Sequence, residues 1–189
     1  MPVAWCGLSA GKKGAWRPHW ERLLGVLSEQ VPSAWTVLVL ADRRWYAQWL
    51  YKSIPKQKWP PLLRIKEPGF FRVANGALYQ PCKAWLNTAR PFWSGQLTAF
   101  KSPAAHLACT LLAGVSPDPS EPWLLLSDFP PDIAEMAGYG RRAWREAGFK
   151  AVKRGGWAWH QTPMPDPQRA SRLWLVMAVA RLWVLSLGG

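Results

Sequence analysis

The chain has 189 residues, 49% hydrophobic and 19% charged, a balance that excludes a disordered polymer and allows a sizeable core in one domain, or one domain with an insertion. Twenty-four Lys and Arg against eleven Asp and Glu leave a formal charge of +13, which favours a polyanionic partner, nucleic acid or an anionic membrane, over one without charge. Cys6, Cys82 and Cys109 are odd in number, widely spaced and without a CxxC, which argues against a zinc site or a disulfide framework and for a reducing compartment.

In chain order, residues 2–8 read as a short strand. No basic region precedes an apolar run there and no cleavage site is present, so the expected location is cytoplasmic. GLSAGKKG at 7–14 has the wrong glycine spacing for a phosphate loop and no Ser or Thr after the lysine. Ala15 to Val31 carries Trp20, Leu23, Leu24 and Leu27 at helical spacing and closes at Pro32-Ser33, an amphipathic helix. Thr36 to Ala41 is a continuous apolar run, the pattern of a strand covered on both faces, and Asp42 sits at its carboxyl end.

A helix over Trp45 to Ile54 and a strand over Leu62 to Lys66 complete an α/β alternation. From Glu67 to Glu121 the chain breaks into short segments punctuated by Gly and Pro, a β-rich insertion. Trp123 to Ser127 is another buried strand; Asp128 then precedes Pro130-Pro131, where capping of a helix over about Ile133 to Phe149 is its expected role. A last helix spans Pro167 to Leu187. Its apolar run from Leu173 falls short of the roughly 20 residues of a membrane span and contains Arg181, so a buried helix is expected and no membrane partner.

Within 139–153 the chemistry-bearing side chains are Tyr139, Arg142, Glu146 and Lys153, separated by two, three and six residues. At about 100° per residue they fall within a sector of roughly 60° if one helix runs through all four. A carboxylate flanked by two cations and a phenol suits a metal ligand beside a phosphate chain. An ordinary solvated helix with Arg142 and Glu146 as an i,i+4 pair accounts for the spacing as well.

The spacing Y-x2-R-x3-E-x6-K resembles the YREK signature of the DDE transposases of insertion-sequence family four. VLVLADRRWYAQWL is similar to the strand and helix around the family's second aspartate, and WLLLSDFPP to the strand before the YREK helix. The likeness runs from about Pro2 to Gly188. It implies an RNase H-like core (1–66 and 122–189) with a β-rich insertion (67–121) between the second aspartate and the glutamate. It also implies that Asp42 and Glu146 are catalytic and bind Mg²⁺ or Mn²⁺, and that Tyr139, Arg142 and Lys153 grip the DNA of the transposon ends. The family's two-metal strand cleavage and transfer needs three carboxylates. Before Asp42 the acids are Glu21 and Glu29, both on the predicted first helix.

The expectation is therefore a core missing its first strand and first aspartate, and lacking the separate end-recognition domain, with weak or no activity alone. A decaying remnant is favoured over a second reading frame joined by frameshifting. The alternative function is a non-catalytic DNA-binding protein derived from a transposase, acting by occupying ends or by pairing with an intact enzyme; a homodimer or such a heterodimer is the expected assembly. Trp157, Trp159 and His160 lie in a polar loop near the signature; Trp35, Trp123, Trp174 and Trp183 lie in apolar runs and are expected in the core. Lys12, Lys13, Arg17, Arg43 and Arg44 are further candidates for phosphate contact.

Overall fold

The structure, a computed structural model, describes residues 15–43, 46–66, 70–73, 76–81, 86, 91–114, 122–141, 150, 161 and 164–187. Among these residues there are seven strands, β1 (Val39–Ala41), β2 (Pro61–Arg64), β3 (Phe70–Val73), β4 (Gln80–Pro81), β5 (Phe92–Ala99), β6 (Leu107–Gly114) and β7 (Trp123–Ser127). Four α-helices accompany them, α1 (Arg17–Gln30), α2 (Gln48–Ser53), α3 (Ala137–Gly140) and α4 (Pro167–Leu187). Two compact units divide the chain: Pro32–Gly140, and Met1–Val31 with Arg141–Gly189.

The first unit is a mixed α/β body on one seven-stranded sheet, ordered β1-β2-β7-β6-β5-β3-β4. β1 and β2 pair in parallel, as their connection through α2 requires, and every other neighbouring pair is antiparallel. Residues 67–121 supply β3 to β6 to this same sheet, β6 being bonded directly to β7. At the sheet centre Leu124, Leu125 and Leu126 of β7 and Leu111 and Leu112 of β6 are wholly buried. Each such leucine contributes about 1.5–3 kcal/mol. Alternation along the strands sends Leu62, Leu112 and Leu125 to one face, where Ala134, Tyr139, Phe129 and Met136 cover them. Toward the other face α2 brings Tyr51 within electrostatic reach of Cys109 on β6; Leu50, Tyr51 and Ile54 are all buried.

Several expectations are corrected in detail. β1 starts at Val39, three residues late; among the described residues it has a single neighbouring strand, and Val39 and Leu40 are only half-buried. α2 starts at Gln48 since Ala47 is extended (φ −149°, ψ 142°), and a 3-10 turn over Pro55–Gln57 carries it on. The helix expected from Ile133 begins only at Ala137: the preceding residues form a turn in which the amides of Ile133 and Ala134 both donate to the Pro130 carbonyl. The remainder of that expected helix, 142–149, lies outside the described residues.

In the second unit α1 matches the predicted span closely, with Leu24 at the centre of its buried face and Pro18 in its first turn, where no amide is required. α4 has the predicted span but not the predicted burial. Met177 and Ala178 are buried, whereas Leu175, Val176, Val179, Leu182, Trp183, Val184 and Leu187 are exposed. A helix apolar on all sides keeps its length whichever stripe is covered, and only one narrow stripe is. No described helix is long and apolar enough to cross a membrane. The tryptophans divide likewise: Trp35 and Trp183 are exposed, while Trp123 and Trp174 are half-buried.

Candidate functional site

Asp42 comes directly after the last residue of β1 and is half-buried. The parallel register sets Ala41 beside Leu63, so Asp42 stands at the carboxyl end of a parallel pair, where α/β sheets open toward ligands. Tyr139 on α3 meets the same strand end from the sheet's covered face. Its ring is 2% exposed and packs edge-on against Trp123, with centroids 5.1 Å apart. Its hydroxyl donates to the carbonyl of Ala41, the residue before Asp42, at 3.5 Å. The first residue of the Y-x2-R-x3-E-x6-K spacing is thus in the core beside the Asp42 strand end.

Arg142, Glu146 and Lys153 lie outside the described residues, as do Lys12, Lys13, Arg44, Trp157, Trp159 and His160. Arg17 donates to Glu21 at 2.9 Å, an exposed i,i+4 pair that engages its guanidinium. Among the described residues no three His, Cys, Asp or Glu side chains form a group able to hold a metal ion.

Asp128 does not cap a helix, because none starts at Pro130; the Ser127 hydroxyl instead accepts the Phe129 amide at 3.2 Å. Loss of solvation around the Asp128 carboxyl raises its pKa, and a hydrogen bond from its own backbone amide opposes the rise.

A second polar assembly lies elsewhere on the sheet and was not legible in the sequence. Arg72 of β3 lies over the Tyr79 ring, 5.2 Å from its centroid. The Tyr79 ring stacks on His106, centroids 5.7 Å apart, with its hydroxyl 2.9 Å from Nε2. Nε2 also lies 3.3 Å from the Lys101 carbonyl. A carbonyl only accepts, so a proton on Nε2, shared by that carbonyl and the Tyr79 oxygen, satisfies both contacts. Gln48 of α2 donates to the His106 carbonyl at 3.1 Å, tying the helix to the 100–106 loop. Lys52, one helical turn beyond Gln48 on the same side, and Lys101 are both exposed.

Charge distribution marks the stretch in the sequence, though not the assembly itself. Residues 43–117 contain eleven Lys or Arg and a single acid, Glu67, so most of the net +13 belongs to this stretch.

No protein-family model matches the chain, and no curated protein does.

Proposed function

We propose that this chain is part of the catalytic core of a DDE-type transposase of insertion-sequence family four, an RNase H-like body with a β-rich insertion, acting on DNA at transposon ends in the cytoplasm. The observation that carries the reading is the contact of Tyr139 with Ala41: the residue that opens the YREK spacing is anchored against the strand that ends in Asp42. Two segments about a hundred residues apart, each picked out by the same family likeness, are thereby neighbours.

On this reading Asp42 and Glu146 are carboxylate ligands for Mg²⁺ or Mn²⁺, hard cations that prefer such oxygens. The bound metal would supply charge neutralisation at a DNA phosphate and activation of the attacking oxygen. Arg142 and Lys153 hold the strand by charge-assisted contacts to phosphate. Tyr139 is a positioning residue that fixes the end of β1. The family's chemistry uses three carboxylates, of which the likeness assigns two within these residues, Asp42 and Glu146.

Mn²⁺ binding monitored by electron paramagnetic resonance tests this directly. The expected result is Mn²⁺ binding that Asp42→Asn and Glu146→Gln each reduce; equal Mn²⁺ binding by both variants and the parent chain would overturn the metal assignment. A non-catalytic DNA-binding role is the second reading, favoured by the concentration of eleven cations against one acid in residues 43–117. It predicts tight DNA binding that is indifferent to divalent metal and to both substitutions.

A further inference from the structure

We propose that Arg72, Tyr79, His106, Lys101 and Lys52 form a docking face for the DNA sugar-phosphate backbone, separate from the Asp42 strand end; this rests on DNA being the partner, as in the reading above. Position comes first. Ala41 is level with Leu63 and Leu126, and Leu126 with Leu111, so Asp42 is level with Leu112 of β6. His106 precedes Leu112 by six residues, about 20 Å along the strand, and three strand spacings of about 4.8 Å lie between β1 and β6. A ligand at one place does not touch the other, but a bound duplex is long enough to reach both.

The chemistry is that of a phosphate-binding surface. Arg72 is held in place by the Tyr79 ring beneath it, so less rotamer freedom is lost when its planar fork meets a phosphate. Tyr79 is fixed in turn by the His106 ring and Nε2. Lys101, in the loop that Gln48 pins, and Lys52, four residues after Gln48, add exposed point charges. Residues 68–117 include no acid, so β3 to β6 and the loops between them supply no carboxylate to neutralise these cations.

The loop itself is held in a disfavoured form. Phe100 has φ 67°, a left-handed conformation that a bulky side chain adopts only when its surroundings impose it. Here the Phe100 amide donates to the Phe70 carbonyl at 2.8 Å and the ring lies 5.4 Å from that of Tyr46. A simple structural latch accounts for the Tyr79–His106 pair. It does not account for eleven cations against one acid in the stretch 43–117 that supplies the latch.

The test is salt-dependent binding of the full chain to a short fluorescein-labelled duplex of arbitrary sequence, read by anisotropy in EDTA so that metal chemistry at Asp42 and Glu146 does not enter. Each phosphate contact contributes about 0.9 to the slope of log K against log salt. Arg72→Ala/Lys101→Ala/Lys52→Ala is expected to lower that slope by about two to three and to weaken low-salt binding at least about tenfold. Arg22→Ala/Arg169→Ala/Arg172→Ala removes the same charge from α1 and α4 and is expected to change both far less. Lys52→Glu/Lys101→Glu, at two exposed side chains, repeats the test without touching the Arg72–Tyr79 contact, and circular dichroism verifies its fold. Equal losses in the two triple variants, or no loss in the first, overturn the docking face while leaving DNA as the partner. No binding by the parent chain overturns both.

Discussion

Tyr51 and Tyr139 are both core tyrosines with opposite hydrogen-bonding fates. The Tyr139 hydroxyl has the Ala41 carbonyl; that of Tyr51 is buried with no hydrogen-bond partner among the described residues. An unsatisfied buried hydroxyl costs free energy that its removal returns. Tyr51→Phe should therefore raise stability, by up to about 1 kcal/mol, whereas Tyr139→Phe should lower it by about 0.5 kcal/mol, as befits a long bond. Urea denaturation of the two variants side by side reads the sign; a loss in Tyr51→Phe would mean that its hydroxyl has a partner.

Burial also sets an alkaline limit. The Cys109 thiol is pushed from its ordinary 9.0 up to about 12 by desolvation, against a small opposing effect of a backbone hydrogen bond at Ala99. Tyr46 and Tyr51 are raised above their ordinary 10.0, again chiefly by burial. These groups stay protonated in the folded chain while the unfolded chain releases its protons, so stability is complete below about pH 9 and declines above it. Each group contributes at most about 1.4 kcal/mol per pH unit. Cys109→Ala should flatten the decline between pH 9 and 10 relative to the parent chain; an unchanged slope would remove the thiol from the account.

Among the elements, β7 and α4 show what periodicity can and cannot convey. Trp123–Ser127 was legible because a short apolar run between turn residues has few other uses, and the span of α4 because Pro167 opens it. Burial was not legible in either α4 or β1, since an apolar run looks alike whether neighbours cover all of it or part. Leu125→Ala in β7 should cost about 2–5 kcal/mol, while Leu175→Ala on the exposed side of α4 should stay within about 0.5 kcal/mol. Thermal denaturation of the pair checks this, and comparable losses would show that α4 is covered after all. The expected cap at Asp128 failed because two prolines there begin a turn before any helix starts. Asp42 could be read from sequence since strand and aspartate are adjacent. The Arg72–Tyr79–His106 assembly could not, because only the antiparallel pairing of β3 with β4 and β5, and of β5 with β6, brings residues 72, 79 and 106 together.

For the whole molecule, the sheet unit carries both features proposed to meet DNA: the strand end at Asp42 and the basic assembly around Tyr79. Its stretch 43–117 holds eleven of the chain's 24 cations against one of its eleven acids. Such a surface steers polyanions toward itself and makes association fall steeply with salt. The central proposal is narrower, namely that Asp42 and Glu146 are each ligands of divalent metal. Iron-directed backbone cleavage tests it most directly, with Fe²⁺ replacing Mg²⁺ and ascorbate with peroxide generating hydroxyl radicals at the bound ion. The account predicts two cuts, one beside residue 42 and one beside residue 146, both suppressed by excess Mg²⁺ and the first also by Asp42→Asn. Cutting at only one of these positions, or at neither, would contradict it.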